Sequence, residues 1–132
     1  MTCFWDGILS KLTIDMVNNC LGIEIKTKLH QKKLVKLLKK YSVKTIDVLW
    51  NDQELSEKEL EENMLWINEL DSTSIGNGYD CSCSDPVLFL VCQLFKVNIT
   101  HQFNGATIKY TNKNSEGTTF NFASNHGHFW PV

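Results

Sequence analysis

Two side chains in this sequence have the chemistry to attack and cleave an acyl bond, and both stand in settings that sharpen them. Cys3 precedes Phe4-Trp5-Asp6-Gly7-Ile8, an apolar run whose spacing opens a helix. A thiol at a helix N-terminus meets the positive end of the helix dipole, which favours the thiolate. His128 lies between Gly127 and the ending Phe129-Trp130-Pro131-Val132. A small residue before the ring and a strand after it would fix the imidazole against a neighbouring helix. Thiolate and imidazole within hydrogen-bond reach are what a cysteine protease needs. Cys3 and His128 lie at opposite ends of the chain, so only the fold brings them together. Taken singly, each has an ordinary reading: a structural cysteine, and a surface or satisfied core histidine.

The other thiols and imidazoles point to less. Cysteines occur at 3, 20, 81, 83 and 92, an odd count of five, whereas small secreted disulfide scaffolds carry an even and denser set. Reduced thiols in a cytosolic setting are expected. Cys81 and Cys83 form a CxC pair without a second CxxC or HxxxH at zinc-finger spacing. His126 and His128 would complete a Cys2His2 set, but two loop cysteines are the reading adopted. No metal and no cofactor is expected.

The elements that must position this chemistry follow from periodicity. Phe4, Trp5, Ile8, Leu9 and Leu12 recur at helical spacing, and Gly7 among them suggests close packing against something. A second helix is expected over Lys28 to Tyr41, with Leu34, Leu37, Leu38 and Tyr41 on one side. Lys28, Lys32, Lys33, Lys36, Lys39 and Lys40 lie opposite, read as a solvated face in preference to an anionic-partner surface. Ser56 and Glu59 form a capping box with Leu55 and Leu60 as staple. Leu60, Met64, Ile67 and Leu70 form that helix's inward stripe, and Leu65 points away from it.

Ser72 to Ser84 reads as a loop, and Asp85-Pro86 as the cap and first turn of a helix running to Phe95. From Val97 the period becomes two. Val97 to Thr100 and Ala106 to Tyr110 read as strands around an Asn104-Gly105 hairpin turn, with a further strand near Thr118 to Phe122 and the chain ending on a strand after His128. Helices followed by a β-meander make an α+β domain.

Composition narrows the class. The 132 residues suit one domain, and 42% hydrophobic with 21% charged residues is ordinary for a soluble globular protein. The longest apolar run, Val87 to Cys92, is too short to cross a bilayer, and no secretory signal is visible at the start. A soluble, cytoplasmic, monomeric domain without membrane contact is therefore expected. The net charge is −2 and all 13 basic residues are lysine; without arginine's bidentate contacts, no nucleic-acid partner is expected. Abundant Lys, Asn and Ile suggest an A/T-rich coding sequence, a bias common among viruses.

Cys3-Phe4-Trp5-Asp6-Gly7-Ile8 resembles the nucleophile motif of the ovarian-tumour (OTU) cysteine proteases. Asp85 to Ile99 resembles their late helix and central strand, and Gly127-His128-Phe129-Trp130 their terminal motif of a histidine followed by an aromatic. The resemblance covers residues 1–132 in order as a single domain, nearest to small viral OTU domains, either excised from a polyprotein or encoded alone. It departs from the family at two points. The Asp-Gly-Asn that commonly precedes the cysteine is replaced by Met1-Thr2, and Trp130 stands where many relatives carry an orienting Asp or Asn. Asn125 is then the weak candidate for the third member.

The resemblance implies an OTU-like fold of the papain-like clan, with N-terminal helices packed on a small, mostly antiparallel C-terminal sheet. It implies a deubiquitinase that hydrolyses (iso)peptide bonds after the C-terminal glycine of ubiquitin or a ubiquitin-like modifier, in the cytoplasm of a host cell if viral. Cys3 would be the nucleophile and, through its backbone amide, an oxyanion donor. His128, in preference to His126, would be the general base. Substrate contacts would come from Leu65, Trp130 and Asp80 or Asp85, with Gly76 to Ser84 walling the cleft. The alternatives are a papain-like viral protease acting on its own polyprotein and a catalytically inactive OTU-like module that binds ubiquitin or a host protein.

Overall fold

A computed structural model describes residues 3–70, 85–125 and 127–132. Helices α1 (Cys3–Lys11), α2 (Ile14–Leu21) and α3 (Gln31–Lys40) come first. Strands β1 (Val48–Trp50) and β2 (Gln53–Glu54) then precede helices α4 (Glu57–Asn68) and α5 (Asp85–Phe95). Strands β3 (Asn98–Phe103), β4 (Ala106–Asn112), β5 (Thr119–Ser124) and β6 (Phe129–Pro131) follow. The protein is mixed α+β, and its six strands form one sheet in the order β2-β1-β4-β3-β5-β6, antiparallel at every junction except β3–β5.

Local chemistry accounts for most of these elements. Phe4, Trp5, Ile8 and Leu12 are buried, as the helical spacing of α1 requires, with Leu9 half-buried. The α3 helix starts at Gln31 instead of Lys28, because the His30 side chain accepts the Lys33 N–H and caps it there. Leu34, Val35, Leu37 and Leu38 fill the core side of α3. The capping box on α4 is present in both directions, Glu59 N–H to Ser56 Oγ and Ser56 N–H to Glu59 Oε1. That bond draws the Glu59 carboxyl below its ordinary range. Leu60 and Ile67 are buried and Met64 and Leu70 half-buried, while Leu65 is 58% exposed.

Two expectations are corrected. The C-terminal strands do not form a meander: β5 returns to the far side of β3 and runs parallel to it, Ile99 opposite Phe120 and His101 opposite Phe122. That position lets Phe120 and Phe122 join Ile99 and Tyr110 on one apolar face. The sheet also begins before α4, since the β1–β2 hairpin joins β4 through Leu49 and Thr111. Strands of three and two residues are too short to display a period of two, and their turn signal is Asn51-Asp52, both at positive φ (47° and 68°). Helix α2 was likewise unread; Thr13 caps it by accepting the Met16 N–H. The Asn104-Gly105 turn has the positive φ pair (48° and 87°) that its sequence predicts.

The core lies between the helices and the sheet face formed by Ile99, His101, Tyr110, Phe120, Phe122, Ser124 and Phe129. The loop expected over Ser72 to Ser84, with its cleft wall Gly76 to Ser84 and Asp80, Cys81 and Cys83, lies outside the described residues, as does His126. No described helix is long and apolar enough to cross a membrane.

Candidate active site

The first turn of α1 is seated against the start of β6. The Phe4 and Phe129 rings are 4.8 Å apart, and Trp5 meets Phe4 edge-on at 5.1 Å. A Cβ on Gly7 would stand 2.9 Å from Phe129 Cε1, so only glycine lets the helix lie this close. At the far end Lys11 Nζ donates to the Val132 carbonyl at 3.1 Å. Helix and strand thus run side by side in the same direction, which brings residue 3, the first of α1, to the end of the seam where residue 128 enters β6. The Cys3 thiol itself lies outside the description.

His128 is exposed and its ring stacks on Trp130, with centroids 5.4 Å apart and planes 23° apart. Trp130 is opposite Ala123 on the outer face of the sheet, and Phe129 points inward, as the alternation of a strand requires. His128 and Trp130 therefore share the outer face. Because α1 packs on the Phe129 face, the His128 ring in this structure stands on the other side of the strand from the packed face of that helix.

The turn into β6 is made by Asn125. Its Oδ1 accepts the Gly127 N–H at 3.0 Å and its N–H donates to the His128 carbonyl at 2.9 Å. The turn thus takes up one of the two lone pairs of the Asn125 amide oxygen. Gly127 has open space where a Cβ would be and no positive φ; the turn is held by the Asn125 side chain.

Asp85 opens α5, and its carboxylate accepts the Tyr110 hydroxyl from β4. It lines a cleft of about 220 Å³ with Trp50, Glu59, Glu62 and Phe89, acidic on one wall and aromatic on another. β4 and β6 are three strand positions apart, roughly 14 Å. Asp85 therefore lies apart from the stacked His128–Trp130 pair, and Leu65 stands on the exposed side of α4, so the expected substrate contacts do not form one compact pocket with His128. A larger cleft, about 640 Å³, runs along the outer side of α1, between Asp6, Leu9 and Ile14 and the segment Lys28 to Gln31.

A second histidine was missed by the sequence reading. His101, on β3, is 2% exposed. Its Nε2 shares a 2.6 Å hydrogen bond with Ser124 Oγ on β5, and its ring is 5.5 Å from that of Phe129. Its Nδ1 is buried with no hydrogen-bond partner among the described residues. Burial holds its pKa below the ordinary histidine value, against a weaker pull upward from the Asp85 charge. The signal was available: Val97, Ile99 and His101 alternate onto one face.

Of the cysteines, Cys92 is enclosed in α5, where burial drives its thiol far above the ordinary range and leaves it inert. Cys20 is exposed. Among the described residues no group of three or more His, Cys, Asp or Glu is arranged to hold a metal ion. No family model, no curated protein and no solved structure matches this chain.

Proposed function

We propose that this chain is a thiol protease of the OTU type acting on conjugates of ubiquitin or a ubiquitin-like modifier. The observation that carries the reading is the α1–β6 seam, in which Gly7 on Phe129 sets the first turn of α1 beside the strand that His128 enters. In this mechanism the imidazole takes the thiol proton and the Cys3 thiolate attacks the carbonyl carbon of the modifier's C-terminal glycine. The Cys3 backbone N–H, unpaired within the helix because it lies in the first turn, donates to the oxyanion. Collapse of the tetrahedral intermediate expels the lysine amine, which leaves with the proton returned by the imidazolium. Water then hydrolyses the thioester by the same base.

The Trp130 indole stacked on His128 holds the ring plane, and Asn125, whose amide oxygen also accepts the Gly127 N–H, remains the weak candidate for the third member. The cleft at Asp85, with Glu59, Glu62 and the Trp50 and Phe89 rings, suits a basic side chain of the modifier's tail. About four extended residues bridge the strand spacing from β4 to β6.

One observation favours a second reading, a non-catalytic OTU-like module that binds the modifier. The His128 ring lies on the Trp130 face whereas α1 packs on the Phe129 face, and Leu65 offers an exposed apolar contact on α4. A ubiquitin carrying a C-terminal electrophile separates the two. Covalent labelling of the wild-type chain and its loss in Cys3→Ala supports the protease. Reversible binding without labelling supports the module.

A further inference from the structure

The net charge of −2 conceals a segregation that the fold turns into a surface. Between Glu24 and Asp47 the chain carries eight lysines and no acidic residue, so this stretch is +8 and the remainder −10. Lys39 donates to the Leu70 carbonyl, and Lys44 pairs with Glu57 and Glu61 of α4. The other six, Lys26, Lys28, Lys32, Lys33, Lys36 and Lys40, are exposed, and none forms an ion pair among the described residues.

Folding gives no reason for this arrangement. Lys32, Lys36 and Lys40 are spaced i, i+4 along α3, where like charges repel. Lys32 and Lys33 stand in the first turn, against the positive end of the helix dipole. The neighbouring α4 shows the ordinary solution, with Glu57 and Glu59 in its first turn and Lys58 paired to Glu62 at i, i+4. The core side of α3 is filled by Leu34, Val35, Leu37 and Leu38, so the lysines are left facing outward.

We infer that the lysine ridge of α3 is a docking surface for the phosphate backbone of a nucleic-acid duplex. From Lys32 to Lys40 the ridge is about 12 Å long at 1.5 Å per residue. Phosphates recur about every 3.4 Å along one strand, so three or four fall under it. Lysines supply point charges without a guanidinium fork, and the chain has no arginine, so the contact positions the duplex without reading bases. A single strand is disfavoured because no aromatic face is open on the ridge for base stacking; Tyr41 is half-buried, with Lys40 Nζ over its ring at 5.5 Å. An anionic bilayer is disfavoured because the exposed Val43 and Ile46 that would insert flank Lys44, which brings Glu57 and Glu61 with it. This inference is independent of the protease reading, and it revises the expectation of no nucleic-acid partner: lack of arginine argues against base readout, not against backbone contact.

The test is fluorescence anisotropy of the full chain with a labelled 20-base-pair DNA duplex, in salt from 50 to 200 mM. Four contacts predict a slope of log K against log salt of about −3 to −4, and a duplex of unrelated sequence should compete equally. Lys32→Glu/Lys36→Glu should weaken binding at least tenfold at 50 mM, whereas Lys58→Glu/Lys109→Glu, the same charge change elsewhere, should change it less than threefold. Should the first pair fail to melt cooperatively, Lys32→Gln/Lys36→Gln replaces it with the same expected direction. No binding at 50 mM salt, equal loss in the control pair, or binding to phosphatidylserine vesicles but not to the duplex each overturns the inference.

Discussion

The sheet treats a histidine differently on its two faces at Phe129. On the inner face His101 is held by Ser124, packed beside the Phe129 ring and stripped of water. On the outer face His128 is exposed, its ring lying on Trp130 and its backbone fixed by Asn125. The inner ring is built to stay neutral and to join β3 to β5; the outer one is open to solvent and touches only Trp130 among the described rings. Solvent and a substrate reach only the outer ring, so the proposed chemistry rests on His128, while the buried ring is a structural group whose charge the fold resists.

The largest effect expected is at the seam's chemical end. Cys3→Ala should abolish turnover of a fluorogenic ubiquitin substrate while leaving the melting transition unchanged. Loss of a general base typically lowers the rate about 10²–10⁴-fold. His128→Ala should fall at least that far and His126→Ala should be nearly neutral; the reverse ranking names His126 as the base and breaks the contrast drawn here. Turnover retained in a folded Cys3→Ala protein removes the enzyme reading altogether.

Gly7→Ala comes next. Alanine raises helix propensity by about 1 kcal/mol, but its Cβ meets Phe129 at 2.9 Å, and that ring is pinned by Phe4, Phe122 and His101. Overpacking typically costs about 1–3 kcal/mol, so a net loss of about 1 kcal/mol is expected. Gly127→Ala, with open space around it, should melt with the wild type. Equal stability of the two alanine variants by thermal denaturation would show that the seam is looser than the packing implies.

His101 gives a smaller, pH-dependent effect. Its folded pKa is depressed, so the unfolded chain binds the proton more readily and protonation favours unfolding. Its stabilising contribution is whole above the unfolded value of about 6.5, declines as the pH falls below that, and is lost once the pH has passed the folded pKa. Melting temperatures between pH 7 and 5 should therefore fall less steeply in His101→Gln than in the wild type. Parallel slopes in the two proteins would show that the fold does not resist the charge on His101.

The smallest effect on stability is expected at Leu65. At 58% exposure, Leu65→Glu should change the unfolding free energy by no more than about 0.5 kcal/mol while weakening ubiquitin binding in a titration. Unfolding of the variant, or unchanged affinity, removes the contact.

The sequence alone determined what depends on neighbours a few residues apart. The capping box at Ser56 and Glu59, the Asn104-Gly105 turn, the buried stripe of α1 and the exposure of Leu65 are all local in origin, and all are present. So is the division of residues 128 to 130 between two faces, which needs only the period of a strand. Tertiary structure decided the rest. Whether β5 returned beside β4 or β3 depended on which neighbour let Phe120 and Phe122 complete the apolar face, a choice no local pattern encodes. His101 lies just beyond the strand expected over Val97 to Thr100, and only the fold brings Ser124 and Phe129, more than twenty positions away, around it. The placement of α1 against β6 joins the two ends of the chain. Gly7 permits that approach, but nothing near it in sequence names Phe129 as the ring it admits, because packing partners are chosen by shape and burial across the whole core.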